Sequence, residues 1–112
     1  MALRRGDIVW YDFALGGASI LKTRPGVIIQ NDLANRFSRD TIIASIRHDA
    51  GRALPVHVPV PKGVAGLKKD SVVDCGSVTT APQAALESTH ASLPDEYMAR
   101  VDAALRVSLA LR

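Results

Sequence analysis

The sequence predicts a mainly β protein with one C-terminal helix, folded as a small, strongly bent antiparallel barrel. Three observations predict it. Runs of strand-forming residues recur roughly every ten residues, with turn-forming glycine, proline, asparagine or aspartate between them. Sustained helical periodicity follows only Pro94. The chain has 112 residues, enough for a single core and a single domain over residues 1–112.

Each element has a local reason. Ile8 to Phe13 is rich in strand formers and follows the turn signal Gly6-Asp7. Ala14 to Thr23, centred on Gly16-Gly17, reads as a surface loop, either a lid over a groove or a plain connector. Pro25 forces Arg24 toward extended geometry, and Val27 to Gln30 is a buried strand. Asn31-Asp32 caps a short helix over Leu33 to Phe37. In the strand from Thr41 to Arg47, alternation puts Ile42, Ala44 and Ile46 on one face, and Thr41, Ile43, Ser45 and Arg47 on the other. Asp49 to Arg52 is a turn. Val56 to Val60 alternates with its valines toward the core and His57 on the opposite face. Pro55 and Pro59 make it an edge strand, because neither donates to a ladder.

Lys62 to Lys69 is a basic loop, and Ser71 to Thr80 a strand with a bulge at Gly76. Pro82 to Leu86 is a helical turn and Glu87 to Ser92 the last strand. Ser92-Leu93-Pro94-Asp95 then opens a helix with a hydroxyl, a first-turn proline and acids at the positive dipole end. Tyr97, Val101, Leu105 and Leu109 form its expected buried stripe, with Met98, Ala104 and Ser108 beside it.

The bulk numbers narrow the function classes. Apolar content of 47% and charged content of 22% are those of a globular domain. No apolar run is long enough to span a membrane. The start, Met1 to Asp7, lacks the apolar centre of a secretory signal, and Cys75 is the single cysteine, so the expected setting is the cytoplasm. No Cys/His cluster has metal-ligand spacing, and no cofactor is expected. The net charge of +3 is uneven. Residues 1–69 carry eleven Lys/Arg against five Asp/Glu; residues 70–112 carry three against six. A basic half suits a polyanion, and it also suits a merely solvated basic surface. With five aromatic residues, a broad stacking platform for bases is not expected.

The chemistry concentrates between Lys22 and Arg47. Arg24 precedes one apolar run, and Ser45 and Arg47 close the next, on the same strand face and about 7 Å apart. A guanidinium keeps its proton and matches phosphate with two parallel donors. If the two strands pair, Arg24 stands near a sheet edge as part of a phosphate-handling site for single-stranded RNA. The bland role for Arg24 is a structural ion pair, with Asp32 or Asp70.

The fragments Arg5-Gly6-Asp7-Ile8-Val9, Lys22-Thr23-Arg24-Pro25-Gly26-Val27-Ile28-Ile29-Gln30-Asn31-Asp32 and Asn35-Arg36-Phe37-Ser38 stand in an informative order. Leu54-Pro55, Gly66-Leu67-Lys68-Lys69-Asp70-Ser71-Val72-Val73, Thr80 and Val101-Asp102-Ala103-Ala104-Leu105 follow. In that order and spacing, over nearly the whole chain, the sequence resembles the MazF/PemK family of toxin endoribonucleases. The resemblance implies an SH3-like barrel of the MazF/PemK/CcdB type, pairing as a homodimer. It implies metal-free cleavage of single-stranded RNA, blocked by a cognate antitoxin through an extended, acidic segment. Arg24 matches the family's arginine after Lys-Thr. With it, Arg47 and Ser45 are the expected catalytic residues; Lys22, Thr23, Asn31, His48, Ser77 and Thr79 are the expected RNA contacts.

The chain departs from the family pattern at three places. Arg47 stands where relatives carry a catalytic threonine or serine, which leaves Ser45 as the nearest hydroxyl on that face. Ala18-Ser19-Ile20-Leu21 lacks the Glu-Gln found in relatives' loops. Ser77 and Thr79 stand where glutamine and arginine are common, so base readout is expected to differ. His48 suits proton transfer at neutral pH, but strand parity turns it away unless the strand ends at Arg47. His57 and His90 are expected to be surface or packing residues. Two other functions compete with the active ribonuclease: a weak or inactive relative that binds RNA or an antitoxin-like partner, and a gyrase poison of the CcdB type. The latter act through an aromatic-containing C-terminal end, whereas this chain closes Leu109-Ala110-Leu111-Arg112.

Overall fold

The computed structural model describes residues 2–14, 21–48 and 54–112. Six strands are named in chain order: β1 (Asp7–Ala14), β2 (Leu21–Ile28), β3 (Asp40–Arg47), β4 (His57–Val60), β5 (Ser71–Pro82) and β6 (Glu87–Ser92). They form one antiparallel sheet in the order β4-β5-β3-β2-β1-β6, curled into a half-barrel with β4 and β6 at its edges. A short helix, α1 (Asp32–Phe37), joins β2 to β3, and the long helix α2 (Asp95–Ser108) closes the chain. One-turn 3-10 segments occupy Val64–Gly66 and Gln83–Ala85.

The edge position of β4, the short helix after Asn31 and the last strand stand as expected. The Asn31 side chain accepts from the Ala34 N–H at 2.8 Å and so caps α1. Three expectations change. The second strand begins at Leu21, six residues before Val27, so Arg24 and Pro25 lie inside it. Pro25 is tolerated because the β2–β3 ladder reaches only to Gly26, where the missing donor breaks no pairing. Residues 15–20 of the expected loop, and the turn Asp49 to Arg52, lie outside the described residues.

The strand Asp40–Arg47, whose alternation separated two faces, is buried on both of them. Ala44 and Ile46 pack with Val27, Val73 and Cys75 beneath Leu93, Tyr97 and Val101. Ile43 packs on the other side with Val9, Ile28 and Ala81, against the partly buried Leu3, Tyr11, Phe13 and Leu86. A central strand of a curled sheet has core on both sides, and its sequence is then nearly continuously apolar. The α2 stripe also shifts: Tyr97, Val101 and Ala104 are buried, with Leu105 half-buried, and Leu109 is exposed beyond the helix end. Each i+4 step overshoots a full turn by about 40°, so a strict four-residue series rotates off the sheet by its fourth member.

Arg5 ties three segments together. Its backbone N–H donates to Asp32 Oδ1 at 2.7 Å, its Nε to the Ile29 carbonyl at 2.8 Å, and its Nη2 to Asp102 Oδ1 on α2 at 2.7 Å. The amide hydrogen bond from Arg5, helped by Asn35, holds the Asp32 carboxyl below its ordinary value of 3.8. A depressed carboxyl adds stability above the unfolded value and loses it as pH falls through the folded one. The wild type is therefore expected to exceed Asp32→Asn in stability at pH 5 to 7, with the gap narrowing as the pH drops below 3.8. Urea denaturation of both proteins across that range measures it.

Candidate functional site

The face of the sheet away from α2 carries the chemistry, and ladder registers place it. Ser45 lies across from Gly26 on β2 and Asp74 on β5, and Asp74 lies across from His57 on β4. One row therefore runs His57, Asp74, Ser45, Gly26. Residues directly opposite in an antiparallel pair share a face, and so do residues two apart along a strand. The next row runs Pro59, Val72, Arg47. Two residues beyond the last β2–β3 pair, Gly26 with Ser45, Arg24 and Arg47 stand on this same face, with Tyr11 opposite Arg24 on β1. Lys22, opposite Phe13, heads the third row.

Two features keep the rows close. Gly26 lets them meet: a Cβ there would stand 3.1 Å from the Ala44 carbonyl oxygen and 3.4 Å from Phe13 Cζ. On β5, the register jumps between Val78, opposite Ala44, and Asp74, opposite Ser45. Cys75, Gly76 and Ser77 are the inserted residues, the bulge expected at Gly76. The Gly76 N–H bends back to Asp74 Oδ1 at 2.9 Å.

The site residues differ in their surroundings. Arg24 is half-buried, and among the described residues no hydrogen bond or ion pair engages its side chain; Asp32 bonds the Arg5 amide and Asp70 Oδ1 accepts from the Lys62 amide instead. Arg47 is paired: its Nη1 lies 3.5 Å from Asp74 Oδ2, and its Nη2 3.3 Å from His57 Nε2. His57 Nε2 is also 3.5 Å from Asp74 Oδ1. Ser45 is buried at 8% exposure.

The expected residues fall into two groups. Arg24, Arg47, Ser45 and Lys22 share one end of one face. Thr23 points the other way along β2, and its hydroxyl donates to the Asp12 carboxylate. His48 is exposed directly after β3. Ser77 is exposed in the bulge, and Thr79 stands opposite Ile43, farther down the sheet. Asn31 caps α1 beyond the opposite end of β2, seven residues from Arg24, roughly 20 Å away at strand spacing.

Asp74 and the role of His57 escaped the sequence reading. The signal was present in Val72-Val73-Asp74-Cys75, where a charge inside an apolar strand requires a partner. Among the described residues, no three His, Cys, Asp or Glu side chains gather as a metal-binding group, and no helix is long and apolar enough to cross a membrane. Two shallow hollows, one lined by Arg4, Asp7 and His90 and one by Leu3, Gln83 and Leu86, lie at the other end of the sheet from the arginines.

A curled six-stranded antiparallel sheet, one helix against one face and two arginines on the other define a small half-barrel protein with a cationic site. Residues 4–109 match the family described as PemK-like, MazF-like toxins of type II toxin–antitoxin systems. Endoribonuclease EndoA of Bacillus subtilis (strain 168) is 37% identical over 113 residues, covering 99% of this chain and 97% of that protein. MazF from Deinococcus radiodurans has the same fold, with a TM-score of 0.80 at 18% identity over 99% of each chain. So does a mycobacterial endoribonuclease solved with its cognate antitoxin, with a TM-score of 0.78 at 21% identity over 99% of this chain and 98% of that one. The chain belongs to the PemK-like, MazF-like toxin family.

Substituting Gly26 tests the packing under the site. Gly26→Ala meets a backbone carbonyl that cannot rotate away, so it is expected to cost about 1–3 kcal/mol. A lower melting temperature checks this, and an unchanged one contradicts the close approach of β2 and β3.

Proposed function

We propose that this protein is a toxin endoribonuclease that cuts single-stranded RNA and is held inactive by a cognate antitoxin. The observation that carries the proposal is that Arg24 and Arg47 stand on one face of adjacent strands, with Arg24 engaged by no carboxylate among the described residues. Kinship with an endoribonuclease at 37% identity supports the reaction class. RNA can be cut by its own 2′-hydroxyl, which attacks the adjacent phosphorus as the bond to the 5′-oxygen breaks. The attacking hydroxyl loses a proton and the leaving oxygen gains one. This route needs no metal, because the added charge on the phosphorus oxygens can be met by fixed donors. Arg24 supplies those donors: its guanidinium clamps two oxygens at once, and it holds its own proton too tightly to serve as a base.

The partners follow from the same membership. We propose a homodimer acting in the cytoplasm, bound by an extended acidic segment of the antitoxin over the basic arginine face. A relative solved with its cognate antitoxin supports the partner class. A second reading, RNA binding without effective cleavage, is favoured by one observation: Arg47 is paired with Asp74 and the nearby Ser45 is buried.

Purified protein incubated with long single-stranded RNA in the presence of chelator is expected to cut it, and Arg24→Ala to slow cleavage by about 100-fold or more. Intact RNA at high enzyme excess, with salt-sensitive binding retained, selects the second reading. Cleavage undiminished in Arg24→Ala removes Arg24 from the site.

A further inference from the structure

Asp74 is a nearly buried carboxylate in the middle of a strand, and three groups converge on it. The Gly76 N–H donates to Oδ1 at 2.9 Å, His57 Nε2 lies 3.5 Å from the same oxygen, and Arg47 Nη1 lies 3.5 Å from Oδ2. His57 is itself fixed, because the Leu54 N–H donates to its Nδ1 at 3.2 Å. That nitrogen accepts, which places the ring proton on Nε2, facing Asp74; Arg47 Nη2, 3.3 Å from Nε2, is then a packing neighbour of the ring and not a hydrogen-bond donor to it. With Nδ1 accepting from a backbone amide and Nε2 facing a carboxylate, neither ring nitrogen is open to a substrate.

The β5 bulge is what assembles this cluster. It turns the Gly76 amide back onto Asp74 and sets Asp74 between Ser45 and His57. The consequence falls on Arg47. Two arginines on one face of adjacent strands repel, and both splay toward solvent unless something restrains one of them. Asp74 does so from beneath, on the side of Arg47 away from Arg24.

We infer that Asp74, braced by His57 and the Gly76 amide, is a positioning residue. It holds the Arg47 guanidinium on the face shared with Arg24 and offsets part of the positive charge there, so that Arg47 meets RNA as an oriented donor. This rests on the RNA-cleaving role proposed above. It assigns Asp74 and His57 a place in the site without direct contact with substrate.

The substitution Asp74→Asn separates this from a merely structural role, because it keeps the shape and removes the charge. Losing the restraint costs orientation, so kcat is expected to fall about 10- to 100-fold. Releasing the Arg47 charge tightens RNA binding by up to about fivefold. It also steepens the slope of log affinity against log salt by about 0.7, the increment for one more phosphate contact on a single strand. In the double variant Arg47→Gln/Asp74→Asn, the gain in affinity and slope disappears, because the released cation is gone. A structural role instead weakens cleavage and binding together, in step with the melting temperature.

An unchanged kcat or an unchanged salt slope in folded Asp74→Asn overturns the inference. Should that variant not fold, nitrogen NMR of the His57 ring in the wild type decides it: a proton on Nε2 supports the brace and one on Nδ1 refutes it. If the wild type binds RNA without cutting it, the proposed activity is what fails. The Asp74 brace is then judged by salt slope and ring tautomer, neither of which needs turnover.

Discussion

The register of β3 is the constraint on which the rest of this structure depends. Ile43, Ala44 and Ile46 are at most 1% exposed, and they pack into two different cores on the two sides of the sheet. A slip of one residue would drive Ile43 into the helix-side core and turn Ala44 toward Tyr11 and Phe13, emptying one cluster and crowding the other. Because the register cannot slip, Ser45 stays against Asp74 and Gly26, and Arg47 stays on the face it shares with Arg24. The site is a by-product of packing: apolar residues fix the strand, and the strand fixes the charges.

Those charges are unequal. Arg24 sits at the end of a ladder, where β2 has β1 beside it and no hydrogen-bonded register to β3, and it meets no carboxylate among the described residues. Arg47 sits where β3 still pairs with β5, above Asp74. A half-buried cation without a counterion retains its reach for an anion, whereas a paired one has spent part of it. Under the proposed function, the two arginines would take different tasks: the first as charge, the second as a fixed donor.

Much of this was legible in the sequence. Alternation from Thr41 to Arg47 correctly put Ser45 and Arg47 on one face, Gly76 marked the bulge, and Pro55 with Pro59 marked the edge. The start of β2 was not legible, because Leu21 to Pro25 has neither alternation nor a run of β-branched residues; β1 recruits it by pairing Tyr11 with Arg24 and Phe13 with Lys22. Leu109 looked core-facing because a four-residue spacing imitates the helical period for two turns before drifting. His57 was legible in its orientation and not in its partner. Its strand parity turned it from the valine face, but only the register of β4 on β5 brings Asp74 opposite. Asn31 illustrates the converse: a residue within a recognisable run around Arg24 serves the helix cap and stands at the far end of the strand.

The central claim is that RNA is gripped on the face shared by β2 and β3, at the Arg24 end. The most direct measurement is a nitrogen–proton NMR titration of the protein with a short single-stranded RNA, methylated at its 2′-hydroxyls so that it cannot be cut. The Arg24 Nε–H signal and the amides of residues 22–26 and 45–47 are predicted to shift first and together. Shifts confined to α1 or to the hollow beside His90, with the Arg24 signal unmoved at saturation, would contradict the account.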